Sequence, residues 1–491
     1  MHLLEKKSIK NLSITLMVIY FLHLLLMSLV KGGRWDLNEQ IAFGQRLFEG
    51  VASYANGQTD LFFPSSPYFP GVGYLSYIFS ALGLESVYVN EILMLITAVL
   101  IGAIYFILLQ RLTLKIYPNI SKTVVLSITA ILFATHFKNY IGYMIEFKPD
   151  TILLVFGLLS LFLLEKENKP NFTSLLVVGL LLFLTTFFKQ SFFIIYFLVY
   201  TLILFNRYFN IKEKIVILLA YSSGGLIALY LIFRIDNLYY FTIQTLGQHP
   251  MLDIKPIIYL LGISFIYNII FCLLLLYFLY KRYNKFSLES LETKYFAFAL
   301  VWFIFSSLST VKIGGNNGNV QVGLVVFVPF AVFVLNELFK NFYNQKYFYS
   351  FVVSILFIFT LGYSLKFVKN INFYVSKVND DFKSIQYLSQ RFNSKNVFVD
   401  GNTYIVAKSS GLNILTEAET VGHFNGIPNY DMSRLKNAID NKEYDLFFLA
   451  GDLAYYKDKG IKKKIDQNYK IHTSKYLPSH LQNKLYVKKE K

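Results

Sequence analysis

The first long loop of the chain, residues 31–88, reads GGRWDLNEQIAFGQRLFEG at positions 32–50 and FFPSSPYFPGVGYLSYIFSALG at positions 62–83. Its first part carries two carboxylates, Asp36 and Glu39, where the preceding apolar segment ends. Its second part is stiff, because each proline fixes its own φ and restricts the residue before it. An acidic pair and a rigid aromatic segment thus lie between two apolar segments. We predict that this loop forms an active site.

The composition is that of a polytopic membrane protein. Of 491 residues, 55% are hydrophobic and 18% aromatic, and only 16% are charged, which is too apolar for a soluble protein of this length. Cys272, the single cysteine, lies in an apolar segment, so the sequence offers neither a disulfide framework nor a cysteine metal site. The net charge of +17 comes mostly from short loops and the polar C-terminal region. That distribution indicates membrane orientation and anionic lipid, not nucleic acid.

Apolar runs of membrane-spanning length, or slightly less, predict about eleven transmembrane helices. The shorter runs could also be tilted or re-entrant segments. The runs lie at about 12–30, 89–110, 123–137, 150–164, 173–188, 190–206, 215–233, 256–280, 295–310, 321–338 and 347–366.

Lys and Arg alternate in density between successive short loops, and this bias predicts an N-terminus in the cytoplasm. With an odd number of spans, the C-terminus then lies outside. We interpret the first segment as a retained anchor, because Ser28 to Lys31 is not a small-x-small cleavage site. The basic residues assigned to the cytoplasm are Lys6, Lys7, Lys10, Arg111, Lys115, Lys122, Lys166, Lys169, Arg207, Lys212, Lys214, Lys281, Arg282, Lys285, Lys294, Lys340 and Lys346.

After residue 366 the composition changes to Lys, Asn, Asp and Tyr with short strand-like runs. NVFVDG (396–401), NILTEA (413–418) and DLFFLAG (445–451) predict strands, and residues 431–444 predict an amphipathic helix before the third strand. The fold class is therefore a polytopic helical bundle, residues 1–366, followed by a small extracytoplasmic α/β domain, residues 367–491. We expect an accessory role for that domain.

Two readings of the acidic pair stay open. Asp36 followed by Glu39 three residues later is the pattern of a capping box at the start of an interfacial helix. A carboxylate at the membrane surface also suits a general base that removes the proton from an acceptor hydroxyl. The two readings are compatible, since a cap holds its carboxylate rigidly.

Further polar groups fall on the same predicted outer side. Glu146, Lys148 and Asp150 precede the fourth apolar run, and Lys189 lies in a turn of only a residue or two between the fifth and sixth. A charge at a helix end often extends to the lipid headgroups. Lys189 is more confined, and a lipid phosphate would be a natural partner for its ammonium. Tyr68, in the proline-rich segment, could stack on a sugar or a polyprenyl chain.

With these residues placed, the chain resembles the GT-C superfamily of glycosyltransferases that use lipid-linked sugars, in particular bacterial protein mannosyltransferases and aminoarabinose transferases. The resemblance covers about residues 10–340. It rests on Asp36 and Glu39, on Gly50 and YFPGVGYL (68–75), on KPDTILLVFGLLSLFLL (148–164), and on Lys189 in TTFFKQSFF (185–193).

The resemblance implies a catalytic carboxylate at Asp36, with Glu39 as helper or alternative. It implies donor-phosphate binding by Lys189 and Lys148. Asp150, Glu146 and Tyr68 are candidates for substrate contact because of their predicted place on the outer side. Two residues separate Asp36 from Glu39, whereas the commoner family pattern is an adjacent Asp-Glu pair, so the base assignment stays open between them. No cofactor is required, and a divalent metal is optional, because basic side chains can neutralise the leaving phosphate.

The predicted activity is an inverting transfer of a sugar from a polyprenyl-phosphate-linked donor to a glycan, lipid or protein acceptor, outside the bacterial inner membrane. One rival is a lipid or small-molecule transporter or flippase, which would place ionisable residues near the midplane. In this chain the charges lie mostly at the outer ends of the apolar runs, and His23 is the main exception. A second rival is an O-antigen polymerase or ligase, which usually carries its large outer loop late in the membrane region.

Overall fold

The computed structural model describes residues 2–31, 35–50, 69–137, 148–165, 169–235, 238, 254–310, 318–340, 346–399, 404–417, 433–449, 460–474, 477 and 485–489. In this part of the chain most residues are helical, and short strands occur only near the C-terminus.

Helices make up the described part of the membrane region. They are α1 (His2–Lys31), α2 (Trp35–Phe48), α3 (Gly71–Ala81), α4 (Val87–Ile116), α5 (Lys122–Thr135), α6 (Asp150–Leu164), α7 (Phe172–Thr186), α8 (Phe193–Leu204), α9 (Ile211–Phe233), α10 (Ile254–Arg282), α11 (Leu291–Thr310), α12 (Gly318–Leu324), α13 (Val328–Phe339) and α14 (Lys346–Phe392). Short 3-10 turns precede α8, follow α10 and join α12 to α13.

Every predicted apolar run coincides with one of these helices or with the α12–α13 segment. Most ends differ by a few residues, but α1 begins about ten residues before its run and α14 continues well past its run to Phe392. Among the described residues, six helical segments are long and apolar enough to cross a membrane, and α5, α6, α7 and α8 are shorter apolar helices. The chain is therefore a multi-pass membrane protein. The number of spans, and the orientation that depends on it, stay predictions.

Polar residues at the starts of the bundle helices set their boundaries. Ser121 accepts a hydrogen bond from the Val124 amide at α5, and Asn171 accepts one from the Ser174 amide at α7. At α9, Asn210 and Glu213 each accept a hydrogen bond from the other's backbone amide at 2.9 Å, which is a capping box. These bonds satisfy amides that have no partner within the helix.

The chain divides into two compact units. The bundle unit comprises Met1–Leu26, Ala98–Leu229 and Met251–Lys369, and the loop–domain unit comprises Met27–Thr97, Tyr230–Pro250 and Asn370–Lys491. In the bundle unit, Tyr295 and Trp302 of α11 are buried and donate hydrogen bonds to the Val326 and Val322 carbonyls, where α12 turns into α13. Their bonds satisfy carbonyls at an irregular segment, as an apolar environment requires.

The C-terminal region forms a five-stranded sheet of order β2-β1-β3-β5-β4. Its strands are β1 (Asn396–Val399), β2 (Asn413–Glu417), β3 (Leu446–Phe448), β4 (Tyr469–His472) and β5 (Leu485–Lys488), with helices α15 (Tyr404–Ser409), α16 (Ser433–Asp440) and α17 (Ile461–Asn468). Strand β1 is parallel to β2 and β3, whereas β5 is antiparallel to β3 and β4. The predicted α/β fold is confirmed, and so are its three predicted strands and its helix.

Candidate active site

Helix α2 carries the acidic pair. The helix begins at Trp35, so Asp36 lies in its first turn and not at the residue before it, where a capping box would place it. A carboxylate in the first turn interacts favourably with the positive end of the helix dipole. The three-residue spacing puts Asp36 and Glu39 on one side of the helix. Their side chains lie outside the described part of the structure, and so do Tyr68 and Glu146.

Helix α2 is buried on more than its apolar side. Leu37, Ile41 and Phe43 are buried, as expected, but Gln45 and Arg46 are buried as well. A helix lying in the membrane interface would leave its polar side exposed. Protein contacts therefore cover the polar side of α2 as well, and its place at the membrane interface stays a prediction. Tertiary packing holds it in place.

Two glycines bring α2 and α3 into close contact. A Cβ built on Gly44 would lie 2.5 Å from the Gly73 carbonyl oxygen and 2.5 Å from the Tyr77 amide nitrogen. A Cβ on Gly73 would lie 2.2 Å from the ring of Phe43. Only residues without a side chain fit at this crossing, so the pair Gly44 and Gly73 fixes the position of α2.

A buried polar network supports the same crossing from the α4 side. The Ser76 hydroxyl lies 3.3 Å from the Ile41 carbonyl and 3.0 Å from the Asn90 side-chain oxygen. The Asn90 amide donates to the Ser80 hydroxyl and to the Leu84 carbonyl. Ser76, Ser80 and Asn90 are buried, so each lost bond would leave a desolvated polar group.

The C-terminal region contacts the far end of α2. The Tyr404 hydroxyl of α15 donates to the Gln45 side-chain oxygen at 3.3 Å, and the Gln45 amide donates to the Glu85 carbonyl at 3.2 Å. One turn further along α15, Lys408 forms an ion pair with Glu49 at 2.7 Å. The helix that carries the acidic pair is thus attached to the C-terminal domain. The sequence offered no signal for this contact, since its partners are more than 350 residues apart.

We expect Tyr404→Phe to lower the melting temperature of the purified chain. The change leaves the buried Gln45 oxygen without this donor, and an unsatisfied buried acceptor costs about 1–3 kcal/mol. Lys408→Ala is the matched control, because an exposed ion pair contributes about 0–1 kcal/mol. Thermal unfolding in detergent measures both. Equal melting temperatures for Tyr404→Phe and the wild type would show that the tyrosine contact is not stabilising.

In the bundle unit, the structure brings Asp150 and Lys189 together. The Lys189 ammonium donates to both carboxylate oxygens of Asp150, at 2.8 and 2.7 Å. The Lys189 side chain is 23% exposed and the Asp150 side chain 12%, so the pair is largely shielded from water. Asp150 is the first residue of α6, where the helix dipole also favours a negative charge.

The local sequence explains where Lys189 lies. Helix α7 ends at Thr186, and a 3-10 turn over Gln190–Phe192 leads into α8, so only a few residues connect the two helices. Lys189 has an extended backbone, with φ −159° and ψ 151°, just before that turn. Lys148 is half-buried and lies two residues before Asp150, separated from it by Pro149. The predicted short turn is confirmed, and the pairing of Lys189 with Asp150 is new.

Among the described residues, no group of three or more His, Cys, Asp and Glu side chains could hold a metal ion. The optional divalent metal stays a prediction.

Comparison with solved structures identifies the fold. The crystal structure of ArnT from Cupriavidus metallidurans in the apo state superimposes on this chain with a TM-score of 0.56 and 9% sequence identity. The alignment covers 90% of this chain and 94% of the ArnT chain. ArnT is an aminoarabinose transferase of the GT-C type. The chain has the GT-C fold.

The ArnT alignment confirms the expected GT-C resemblance at the level of the fold. An Archaeoglobus fulgidus oligosaccharyltransferase tethered to an acceptor peptide also aligns, with a TM-score of 0.44 and 10% identity, over 89% of this chain and 68% of its own. Comparisons with protein-family models and with curated protein sequences find no match.

Proposed function

We propose that this GT-C protein is a membrane glycosyltransferase that transfers a sugar from a polyprenyl-phosphate-linked donor to an acceptor outside the plasma membrane of a bacterium. The likeness to ArnT over nearly the whole of both chains carries this proposal. The fixed position of α2 adds to it, because a carboxylate acts as a base only when it is held within hydrogen-bond reach of the proton. The proposed acceptor is a glycan, a lipid or a protein.

In the proposed reaction Asp36 removes the proton from an acceptor hydroxyl, and that oxygen attacks C1 of the donor sugar. The bond between C1 and the phosphate oxygen breaks, polyprenyl phosphate leaves, and the configuration at C1 inverts. Lys189, whose ammonium is held by Asp150, donates a further hydrogen bond to the leaving phosphate. Lys148, two residues before Asp150 in sequence, is the second phosphate candidate. Preorganised cations of this kind stabilise a leaving group without reorganisation.

Charged pairs of the bundle unit argue against a transporter. Asp150 and Lys189 lie at one end of α6 and α8, and Glu165 and Lys294 lie beyond the other end of α6. A transport pathway would want ionisable groups near the middle of the bundle. This arrangement favours chemistry at the membrane surface.

Mass spectrometry of lipid-linked sugars and surface glycans in a deletion strain tests the proposal. We expect one sugar to disappear from the envelope while its lipid-linked donor accumulates. Unchanged surface glycans and unchanged donor levels would contradict a transferase, and donor trapped on the cytoplasmic side would indicate a flippase.

Lys189→Ala is expected to weaken donor binding about 10- to 100-fold, because a charge-assisted hydrogen bond contributes about 1.5–3 kcal/mol. Acceptor binding should change much less. Lys340→Ala, which removes an exposed charge at the end of α13, is the matched control. Asp150→Asn distinguishes a donor-binding role of Lys189 from a purely structural one. If Lys189 were purely structural, both variants should lose the same stability and neither should lose donor affinity selectively.

The proposed orientation places the N-terminus in the cytoplasm and the C-terminal domain outside. A reporter that is active only in the cytoplasm, fused after Lys491, should therefore stay silent. Activity there would mean that the number of spans is even.

A further inference from the structure

A second charged site lies at the opposite end of the bundle unit from Asp150 and Lys189. Helix α6 begins at Asp150 and ends at Leu164, a length of about 22 Å. Beyond that end lies a cavity of about 750 Å³, which is also lined by the end of α8, the start of α9 and the start of α11. Nothing in the proposed transfer uses this cavity.

The cavity has a charged lining with a basic excess. Its lining contains three cations, Arg207, Lys214 and Lys294, and two carboxylates, Glu165 and Glu289. Lys294 is 4% exposed and forms an ion pair with Glu165 at 2.8 Å, which neutralises that cation.

The other two cations have neutral hydrogen-bond partners. Arg207 donates to the Tyr208 hydroxyl at 2.9 Å, and Lys214 donates to the Leu204 carbonyl at 2.7 Å. A neutral acceptor positions a cation but does not cancel its charge. Glu289, near Arg207, is exposed, so water weakens its attraction for the guanidinium. The cavity therefore presents an exposed guanidinium at Arg207 and a half-buried ammonium at Lys214 to an anion.

Apolar side chains adjoin these cations. Leu204 and Phe205 also line the cavity, and they are 50% and 39% exposed. A soluble phosphate compound would leave this apolar rim unused. A molecule with a phosphate joined to hydrocarbon chains would satisfy both the cations and the rim.

We propose that this cavity binds the phosphate of an anionic phospholipid headgroup, with Arg207 and Lys214 on the phosphate and the acyl chains along Leu204 and Phe205. The phosphate contact is charge-assisted, and a planar guanidinium can bind two phosphate oxygens at once. The proposal does not depend on the proposed transfer reaction.

Native mass spectrometry of the full chain in detergent tests it, with phosphatidylglycerol as the probe. Arg207→Gln combined with Lys214→Gln should reduce phosphatidylglycerol binding about tenfold or more. The matched control combines Lys122→Gln with Lys212→Gln, which removes two exposed charges outside the cavity lining. That control should bind phosphatidylglycerol as the wild type does.

Two further measurements, competition by a soluble phosphate and comparison with a zwitterionic lipid, identify the ligand. Glycerol 1-phosphate should compete poorly, and phosphatidylcholine should bind more weakly than phosphatidylglycerol. Lys214→Arg keeps both charges and the Arg207 guanidinium, and it should retain binding within about threefold. Equal losses in the cavity and control variants would overturn the site, and so would equal binding of the two lipids. Competition by glycerol 1-phosphate at the lipid's own affinity would overturn the lipid assignment.

Discussion

Asp36→Asn should lower the rate of sugar transfer about 100- to 10,000-fold, because positioned general bases contribute acceleration of that size. Asparagine has almost the same shape as aspartate but cannot take a proton from the acceptor. Asp36 lies in the first turn of α2, where the loss of a charge costs only about 0.3–1 kcal/mol of helix-dipole interaction. The variant should therefore fold and insert normally.

Glu39→Gln is the matched control, since it removes the other carboxylate from the same side of α2. The measurement is transfer from a purified lipid-linked donor, with expression and melting temperature checked for each variant. Full activity of Asp36→Asn with loss in Glu39→Gln would move the base to Glu39. Full activity of both would remove α2 from the chemistry.

Gly44→Val should destabilise the chain strongly and reduce transfer. Its Cβ would meet the Gly73 carbonyl oxygen, the Ser76 Cβ and the Tyr77 amide nitrogen at 2.5 Å, so α2 and α3 would have to separate. Overpacking of this kind costs about 1–3 kcal/mol or more, and backbone atoms cannot rotate away as a side chain can. Since α2 carries Asp36, the displacement should also lower the rate of transfer.

A pair of alanine variants isolates the steric effect. Gly224 lies within α9 and has open space around its Cβ position, so Gly224→Ala should leave the melting temperature unchanged or raise it. Gly44→Ala makes the same chemical change at the crowded crossing and should lower it. Equal shifts in the two variants would contradict a close contact between α2 and α3.

Much of the membrane fold was predictable, because a run of about 15 to 20 apolar residues directly indicates a segment that avoids water. The run 150–164 is apolar on all sides, and the structure has a helix over Asp150–Leu164. The end of the last membrane helix was less predictable: α14 continues past the predicted boundary at residue 367 to Phe392. Its later turns are polar, and polarity alone does not distinguish a loop from an exposed helix.

The C-terminal sheet was predicted in part. Strands such as β1 and β3 are continuous apolar runs that are buried in the sheet, and the sequence marked them. Strands β4 and β5 have four residues each, and their burial does not alternate. Lys470 and Ile471 are both exposed in β4, and the three residues after Leu485 in β5 are all partly buried. Their pairing depends on contacts between distant segments.

The contacts of the candidate site residues also depend on distant segments, which the sequence does not show. The sequence placed Lys189 in a short turn, but the bond between Lys189 and Asp150 joins the ends of separate helices 39 residues apart. The bond between Tyr404 and Gln45 spans 359 residues. Charge and position suggested which side chains matter, while their partners depended on the fold. These contacts also give the C-terminal domain a structural link to α2, beyond the accessory role expected for it.

Transfer by the purified chain tests the central proposal most directly. The donor is the pool of polyprenyl-phosphate-linked sugars extracted from bacterial membranes, and the acceptor is the envelope fraction of the deletion strain. We predict that one lipid-linked sugar is consumed, that polyprenyl phosphate accumulates, and that the acceptor gains the mass of that sugar. An intact donor pool, together with movement of the same lipid across the membrane of reconstituted vesicles, would contradict a glycosyltransferase.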